Sequence, residues 1–181
     1  KPVRVVDDLN NTVTLLKPSF ESDIDIELVL DTNPLVDCWP AEINQVFMNL
    51  LMNAAYACRT HIVDGAILRG KICIHSSQTA VGRGESKLVI TIADNGCGMS
   101  QDVLQRAFDP FFTTSSVGSG AGLGLTISND IIKKHAGEIL LASEPRQGTL
   151  VTLSLPVSES TDTEISGSAA HTAKTTFYPE H

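Results

Sequence analysis

Aromatic residues are scarce in this chain: Phe, Trp and Tyr together make up 5% of its 181 residues. The core must then come from Ile, Leu, Val and Ala, which a hydrophobic content of 42% can supply. Cations are few as well, with 13 Lys and Arg against 21 Asp and Glu and a formal net charge of −8. That balance argues against a surface for nucleic acid or anionic membrane, since both select Lys and Arg. Any polyanion bound here must be held locally, by backbone amides, a metal or a few cations. The four cysteines, Cys38, Cys58, Cys73 and Cys97, include no CxxC pair, a spacing that disfavours a metal site or redox motif. They read as reduced, mostly buried thiols of a cytosolic protein. No apolar run approaches the roughly 20 residues that span a bilayer, and no signal peptide opens the chain. A cytoplasmic location is expected, with any membrane anchor of a parent protein lying in segments absent here. The chain opens on Lys1 rather than Met, which suggests a fragment of something longer.

Apolar spacing sets the elements. Val5, Val6, Leu9, Val13 and Leu16 predict a helix over 3–16 that Pro18 ends. Ile24, Ile26, Leu28 and Leu30 alternate with charged residues and predict a half-buried strand. Residues 34–40 read as a connection, and Pro40 suits the first turn of a second helix. That helix, 40–59, is the most regular: Ile43, Val46, Phe47, Leu50, Leu51, Ala54 and Ala57 form one stripe. Strands over 71–75 and 88–92 predict a hairpin around Gly82 to Glu85. A long glycine- and serine-rich loop fills 108–122, a helix covers 123–135 with Gly137 as its stop, and strands 138–143 and 149–155 form a second hairpin. After Pro156 the composition turns to Ser, Thr and Ala, too poor in apolar area to offset ordering entropy. The organisation predicted is a domain over 1–156 and a flexible tail or linker over 157–181. Its fold class is an α/β two-layer sandwich, a mixed sheet of about five strands with three helices on one face.

Three segments carry chemistry. Asn49 and Asn53 stand four apart on one face of the second helix. Asn carboxamide oxygens are hard, neutral ligands suited to Mg²⁺ that already carries phosphate, although Asn is also common on helix surfaces. Asp94, Asn95, Gly96, Cys97 and Gly98 follow a strand directly. A carboxylate there can accept a hydrogen bond from an amino group, and the glycines would let a flat ring approach the backbone. The same residues also make ordinary turns. Gly118 to Leu125 places glycines ahead of a helix N-terminus, where free N–H groups and the helix dipole favour phosphate. It lacks the Lys-Ser/Thr ending of a P-loop. Between these parts, Phe108, Phe111 and Phe112 read as apolar anchors for a lid.

The order of these parts resembles the histidine kinase branch of the ATPase superfamily shared with gyrase and MutL, whose domain has the Bergerat ATP-binding fold. Asn49 and Asn53 match its N box, Asp94, Gly96 and Gly98 its first glycine box, and Phe108 to Phe112 its F box. Gly120, Gly122 and Gly124 match the second glycine box, and Gly148 and Thr149 the short final one. The resemblance implies that Asp94 binds the exocyclic amine of adenine and that Thr149 supports that pocket. It implies that Asn53 coordinates Mg²⁺ while Asn49 assists with phosphates and metal water. Phe112 and Thr113 would border the nucleotide, and Gly120, Ala121, Gly122, Leu123, Gly124 and Leu125 would cradle the β- and γ-phosphates of ATP. The partners implied are a dimerisation and phosphoacceptor region upstream of Lys1 and a response regulator. On this reading the fragment is a monomer and its parent a homodimer.

Two departures sharpen the resemblance. Hydrolytic relatives place a Glu where this chain has Asn49, and Asn cannot take a proton from water at neutral pH. No His here is followed by an acidic residue, so the phosphorylated His is expected elsewhere. The lid segment 109–125 also contains no Lys or Arg, leaving Arg59, Arg106 and Lys133 as candidate phosphate contacts. An anti-sigma-factor-type serine kinase and a degenerate ATP-binding scaffold are the alternative readings.

Overall fold

Leu88, Ile90 and Ile92 alternate along one strand and are at most 2% exposed, so a single face of that strand is sealed. In the computed structural model, which describes residues 1–82, 84–113 and 122–158, this strand is the middle of a five-stranded sheet. The elements in chain order are β1 (Pro2–Arg4), α1 (Val5–Phe20), β2 (Ile24–Leu30), β3 (Leu35–Asp37), α2 (Pro40–Val63), β4 (Gly70–Gly82), β5 (Glu85–Asp94), α3 (Gln101–Gln105), α4 (Gly124–Lys134), β6 (Glu138–Glu144) and β7 (Gly148–Pro156). The sheet order is β2-β4-β5-β7-β6. Its β2–β4 pair is parallel and the other pairs are antiparallel, so the expected mixed sandwich is what forms.

The sealed face carries Ile72 and Ile74 of β4, Val151, Leu153 and Leu155 of β7 and Ile139 of β6. Helices α1, α2 and α4 cover it. From α2 come Ile43, Val46, Phe47, Leu50 and Leu51, all at most 1% exposed. Two-residue periodicity then puts Asp94, the last residue of β5, on the same face as Ile92. A carboxylate is thereby delivered to the edge of an apolar layer.

Several boundaries differ from the sequence reading. Pro18 lies inside α1, in its last turn; helix continues because Phe20, 1% exposed, is anchored in the core. The 34–40 connection contains β3, which pairs antiparallel with the three residues of β1. α2 runs past Arg59 because Cys58 and His61 keep its stripe buried. The short α3 was not expected; Ser100 caps it by accepting the Val103 N–H.

The stop of α4 also differs. Its left-handed residue is Ala136, with φ 54°, and not Gly137. Gly137 donates its N–H to Ile132 at 2.9 Å, closing the cap one residue later. A Cβ on Gly137 would collide with the Ser154 carbonyl and stand 2.9 Å from Leu155 Cδ2. Ala136→Gly should therefore raise stability by about 0.5–1 kcal/mol by relieving a positive φ. Gly137→Ala should lower it by roughly 1–3 kcal/mol through overpacking. Urea unfolding of both variants checks the pair, and the opposite ranking would misplace the cap.

Candidate nucleotide site

The G-rich loop after β5 is held against α2. Cys97 donates its N–H to Ala57 O at 3.1 Å, and a Cβ on Gly96 would lie 2.5 Å from Ala57 C. Gly98, at φ 65°, has no room for a Cβ beside the Glu144 carbonyl. The missing side chains thus let the protein close on itself. This is a second reason for glycine there, beside the expected close approach of a flat ring. Asn95 locks the loop from the other side, its Oδ1 accepting the Lys71 N–H at 2.6 Å and its backbone oxygen meeting His61 Nδ1 at 3.0 Å.

Asp94 lines a cavity of about 560 Å³ together with Leu104, Leu141, Ser143, Gly148 and Thr149. Its Oδ1 accepts the Gly96 N–H at 2.8 Å, and the Thr149 backbone also donates to the carboxylate. Burial nevertheless dominates and pushes the carboxyl from the usual 3.8 up to about 6. Among the described residues no cation offsets that burial. Ser143 ties the pocket wall together: it accepts the Met99 N–H at 2.9 Å, donates to Gly148 O at 2.8 Å and touches the Thr149 hydroxyl at 3.0 Å. The sequence reading named Thr149 but missed Ser143, which lies in phase with buried Ile139.

A second group forms where α2 meets α4. Asn49 Nδ2 donates to Gly124 O at 3.2 Å and to Ser128 Oγ at 3.3 Å. Asn53, one turn on, is exposed. Ala57, Asn53 and Asn49 are four apart, so they form one line with steps of about 6 Å. Gly122 packs on the F box, where a Cβ would stand 2.6 Å from Phe111 C. Leu123 and Leu125 are half-buried, Thr113 is exposed, and Gly120 and Ala121 lie outside the described residues.

The three phenylalanines do not share one job. Phe108 packs on the core, and Thr126 Oγ1 donates to its carbonyl at 3.0 Å. Phe112 lies under the Arg106 guanidinium, 4.2 Å from the ring centroid. Phe111 is 74% exposed at φ 65°, so it is no anchor in this state. Two of the candidate cations are also committed: Arg59 binds Asp23 at 2.7 Å and Arg106 faces Asp109 at 3.5 Å.

A family model described as histidine kinase-, DNA gyrase B-, and HSP90-like ATPase matches residues 40–159. The chain belongs to this ATPase family. This ATPase-family chain is 33% identical over 156 residues to sporulation kinase E of Bacillus subtilis (strain 168), covering 85% of the chain and 19% of that relative. It is 42% identical over 115 residues to the signal transduction histidine-protein kinase AtoS of Escherichia coli (strain K12), covering 64% of the chain and 17% of the relative. The chain therefore spans less than a fifth of the length of these two curated relatives. Among solved structures, the nucleotide-free catalytic domain of histidine kinase ThkA superposes with a TM-score of 0.71 at 25% identity, over 87% of this chain and 95% of that one.

The position of Asp94 has a measurable consequence. Its folded-state value lies above the ordinary 3.8, so between about pH 4 and 6 the folded chain holds the proton more tightly than the unfolded chain. The stabilising proton is present below about pH 4, and stability declines as pH rises through about 6. Asp94→Asn should accordingly be more stable than the parent by about 1–3 kcal/mol near pH 8, with the gap closing near pH 4. Urea unfolding at both pH values reads this, and an equal or lower stability of the variant near pH 8 would contradict it.

Proposed function

We propose that this chain binds Mg-ATP and presents the γ-phosphate to a histidine on a separate dimerisation and phosphoacceptor region, within two-component signalling. The observation that carries the reading is the line Ala57–Asn53–Asn49. At one end, Ala57 buttresses the loop beside a buried, cation-free carboxylate. Two turns of helix away, about 12 Å, Asn49 touches the residue that begins α4. An amino-bearing base at Asp94 and a polyphosphate at the α4 N-terminus would fit that span.

Each residue has a physical task. Asp94 accepts the exocyclic amine of adenine; the ligand N–H supplies the partner that burial denies it. Gly122 to Leu125 open α4, where N–H groups and the helix dipole favour phosphate. Asn53 holds Mg²⁺ through its carboxamide oxygen, with Asn49 beside it. This donor set fits the ion: Mg²⁺ keeps several waters and shares phosphate oxygens, so it needs few protein ligands. Bound there, the ion supplies charge neutralisation on the phosphates.

Asn49 stands where a general base would be required to activate water, and its amide faces α4 instead. Positioning for an external nucleophile is the chemistry that remains. The described histidines are otherwise engaged: His61 with Asn95 O at 3.0 Å, His75 with Asp31 at 2.8 Å, and His135 with Ile131 O at 2.8 Å and the Trp39 N–H at 3.1 Å. A histidine in a parent protein is therefore the proposed acceptor, with a response regulator downstream. The relatives named as sensor and sporulation kinases support this reading. Val157 and Ser158 still donate their N–H groups to Ser86 O and Leu35 O, and the rest of the tail expected over 157–181 lies outside the described residues. Among the described residues no helix is long and apolar enough to cross a membrane; the proposed location is cytoplasmic.

Calorimetric titration of ADP and a non-hydrolysable ATP analogue, with Mg²⁺ and with EDTA, tests the pocket. Binding should be stronger with Mg²⁺, and Asn53→Ala should remove that increment by roughly tenfold or more. Absence of binding under both conditions would favour the scaffold reading. Affinity should also fall below about pH 6, by up to about tenfold per pH unit, as Asp94 takes a proton and becomes an uncharged, weaker acceptor. A flat pH profile would remove Asp94 from the adenine contact.

A further inference from the structure

Ser128 is fully buried at 0% exposure. It lies one turn ahead of Ile131 and Ile132 on the core-facing stripe of α4. A hydroxyl among apolar neighbours is costly unless both its proton and its lone pairs are used. Here they are. Ser128 Oγ donates to Gly124 O at 2.8 Å and accepts from Asn49 Nδ2 at 3.3 Å.

These bonds fix which way the Asn49 amide points. Gly124 O can only accept, and it lies 3.2 Å from the same Nδ2. The Ser128 proton is already directed at that carbonyl, so Ser128 too offers Asn49 an acceptor. Two acceptors on one side demand the nitrogen there, and the carboxamide oxygen must face away from them. Rotating the amide would set Oδ1 against a carbonyl oxygen and discard both bonds. A Cβ on Gly124 would stand 3.9 Å from Oδ1, so the oxygen lies alongside the chain where it enters α4. Asn53, the proposed metal ligand, is one turn away on the same line.

We propose that Ser128 is a positioning residue that holds the Asn49 carboxamide oxygen toward the phosphates and their metal, and so sets how much Mg²⁺ adds to nucleotide affinity. This rests on the Mg-ATP reading above. The opposite end of α4 is clamped independently: Lys134 binds Glu42 at 2.7 Å and lies 3.6 Å from the Trp39 ring centroid. Ser128 therefore acts toward the end of α4 that begins at Gly124. A hydroxyl bonding one turn back along its own helix is a common local habit. If that were its whole role, its loss would change stability alone.

The test measures the ratio of ADP affinity with Mg²⁺ to that with EDTA, for Ser128→Ala, Asn49→Ala and the double variant of this chain, with thermal unfolding alongside. Ser128→Cys, which keeps the volume and weakens the acceptor, carries the same measurement should the Ala variant fail to fold. Losing one of two orienting hydrogen bonds should lower the Mg²⁺ ratio by about threefold to tenfold and leave affinity in EDTA within about twofold. In the Asn49→Ala background the second substitution should change the ratio no further, as expected of residues acting through one another. An unchanged ratio in Ser128→Ala, alongside a lowered one in Asn49→Ala, would overturn the positioning role while leaving the Mg-ATP site intact. Equal weakening with and without metal would also overturn it. An unchanged ratio in Asn49→Ala would overturn the role of Asn49 itself, and the Ser128 proposal with it.

Discussion

A carboxylate placed at the end of an apolar row, with no cation beside it among the described residues, is the constraint around which this site is arranged. Asp94 occupies the position that strand alternation would give to another Ile, and burial pushes its carboxyl to about 6. Two backbone N–H groups offset part of the cost, and both come from segments held in place for that purpose. Gly96 can donate only because its loop is pressed against Ala57. The Thr149 backbone reaches Asp94 only because β5 and β7 pair them directly, and Ser143 braces the same strand end. The remaining deficit is what a ligand bearing an amino group would repair. On the proposed reading, stability given up in the free chain would become binding free energy and selectivity for a donor at that point.

The second constraint is electrical. A chain of net charge −8 is proposed to hold a polyphosphate, yet its nearby cations are largely spent on structure. Arg59 closes on Asp23, Arg69 on Asp25, Lys71 on Glu27 and Lys134 on Glu42. These pairs are exposed or half-exposed and contribute little stability each, but they keep their charges away from the phosphate end. On that proposal neutral donors and a metal would carry much of the phosphate charge, which makes the orientation of neutral amides matter more than in a site lined with lysine. The Ser128–Asn49–Gly124 group belongs to this logic. It spends a buried hydroxyl to decide the direction of one amide.

Much of the fold could be read from the chain because apolar period and layer agree. The α2 stripe, the alternating strands and the two hairpins each bury one face, and the mixed five-stranded sheet follows. The errors fall where pairing is distant or where one residue overrides a rule. β1 and β3 are three residues each and meet across more than thirty positions, so neither carries a pattern. Pro18 obeys the core contact of Phe20 rather than its own propensity. Ala136 takes the left-handed position beside a glycine that is needed for packing instead. The candidate site divides in the same way: Asp94 and the two asparagines were singled out by the order of their segments and its resemblance to a known family, since type and spacing alone also fit a turn and a helix surface. Ser128 and Ser143 did not, because a single serine is informative only once its partners across the fold are known.

One cysteine pattern is instructive for the same reason. Cys58 and Cys97 both neighbour the Asp94 loop, and sequence proximity to a proposed nucleotide pocket could suggest reactivity. The structure argues against it for Cys58. That thiol is buried against Asn95, 3.5 Å from its Oδ1, and burial with the Asp94 charge pushes it up to about 11. The burial of Cys97 and the same carboxylate raise its thiol as well. Burial is the larger cause in both thiols, and the Asp94 carboxylate adds to it. The same burial that leaves Asp94 short of partners, together with its charge, therefore suppresses the thiolates beside it.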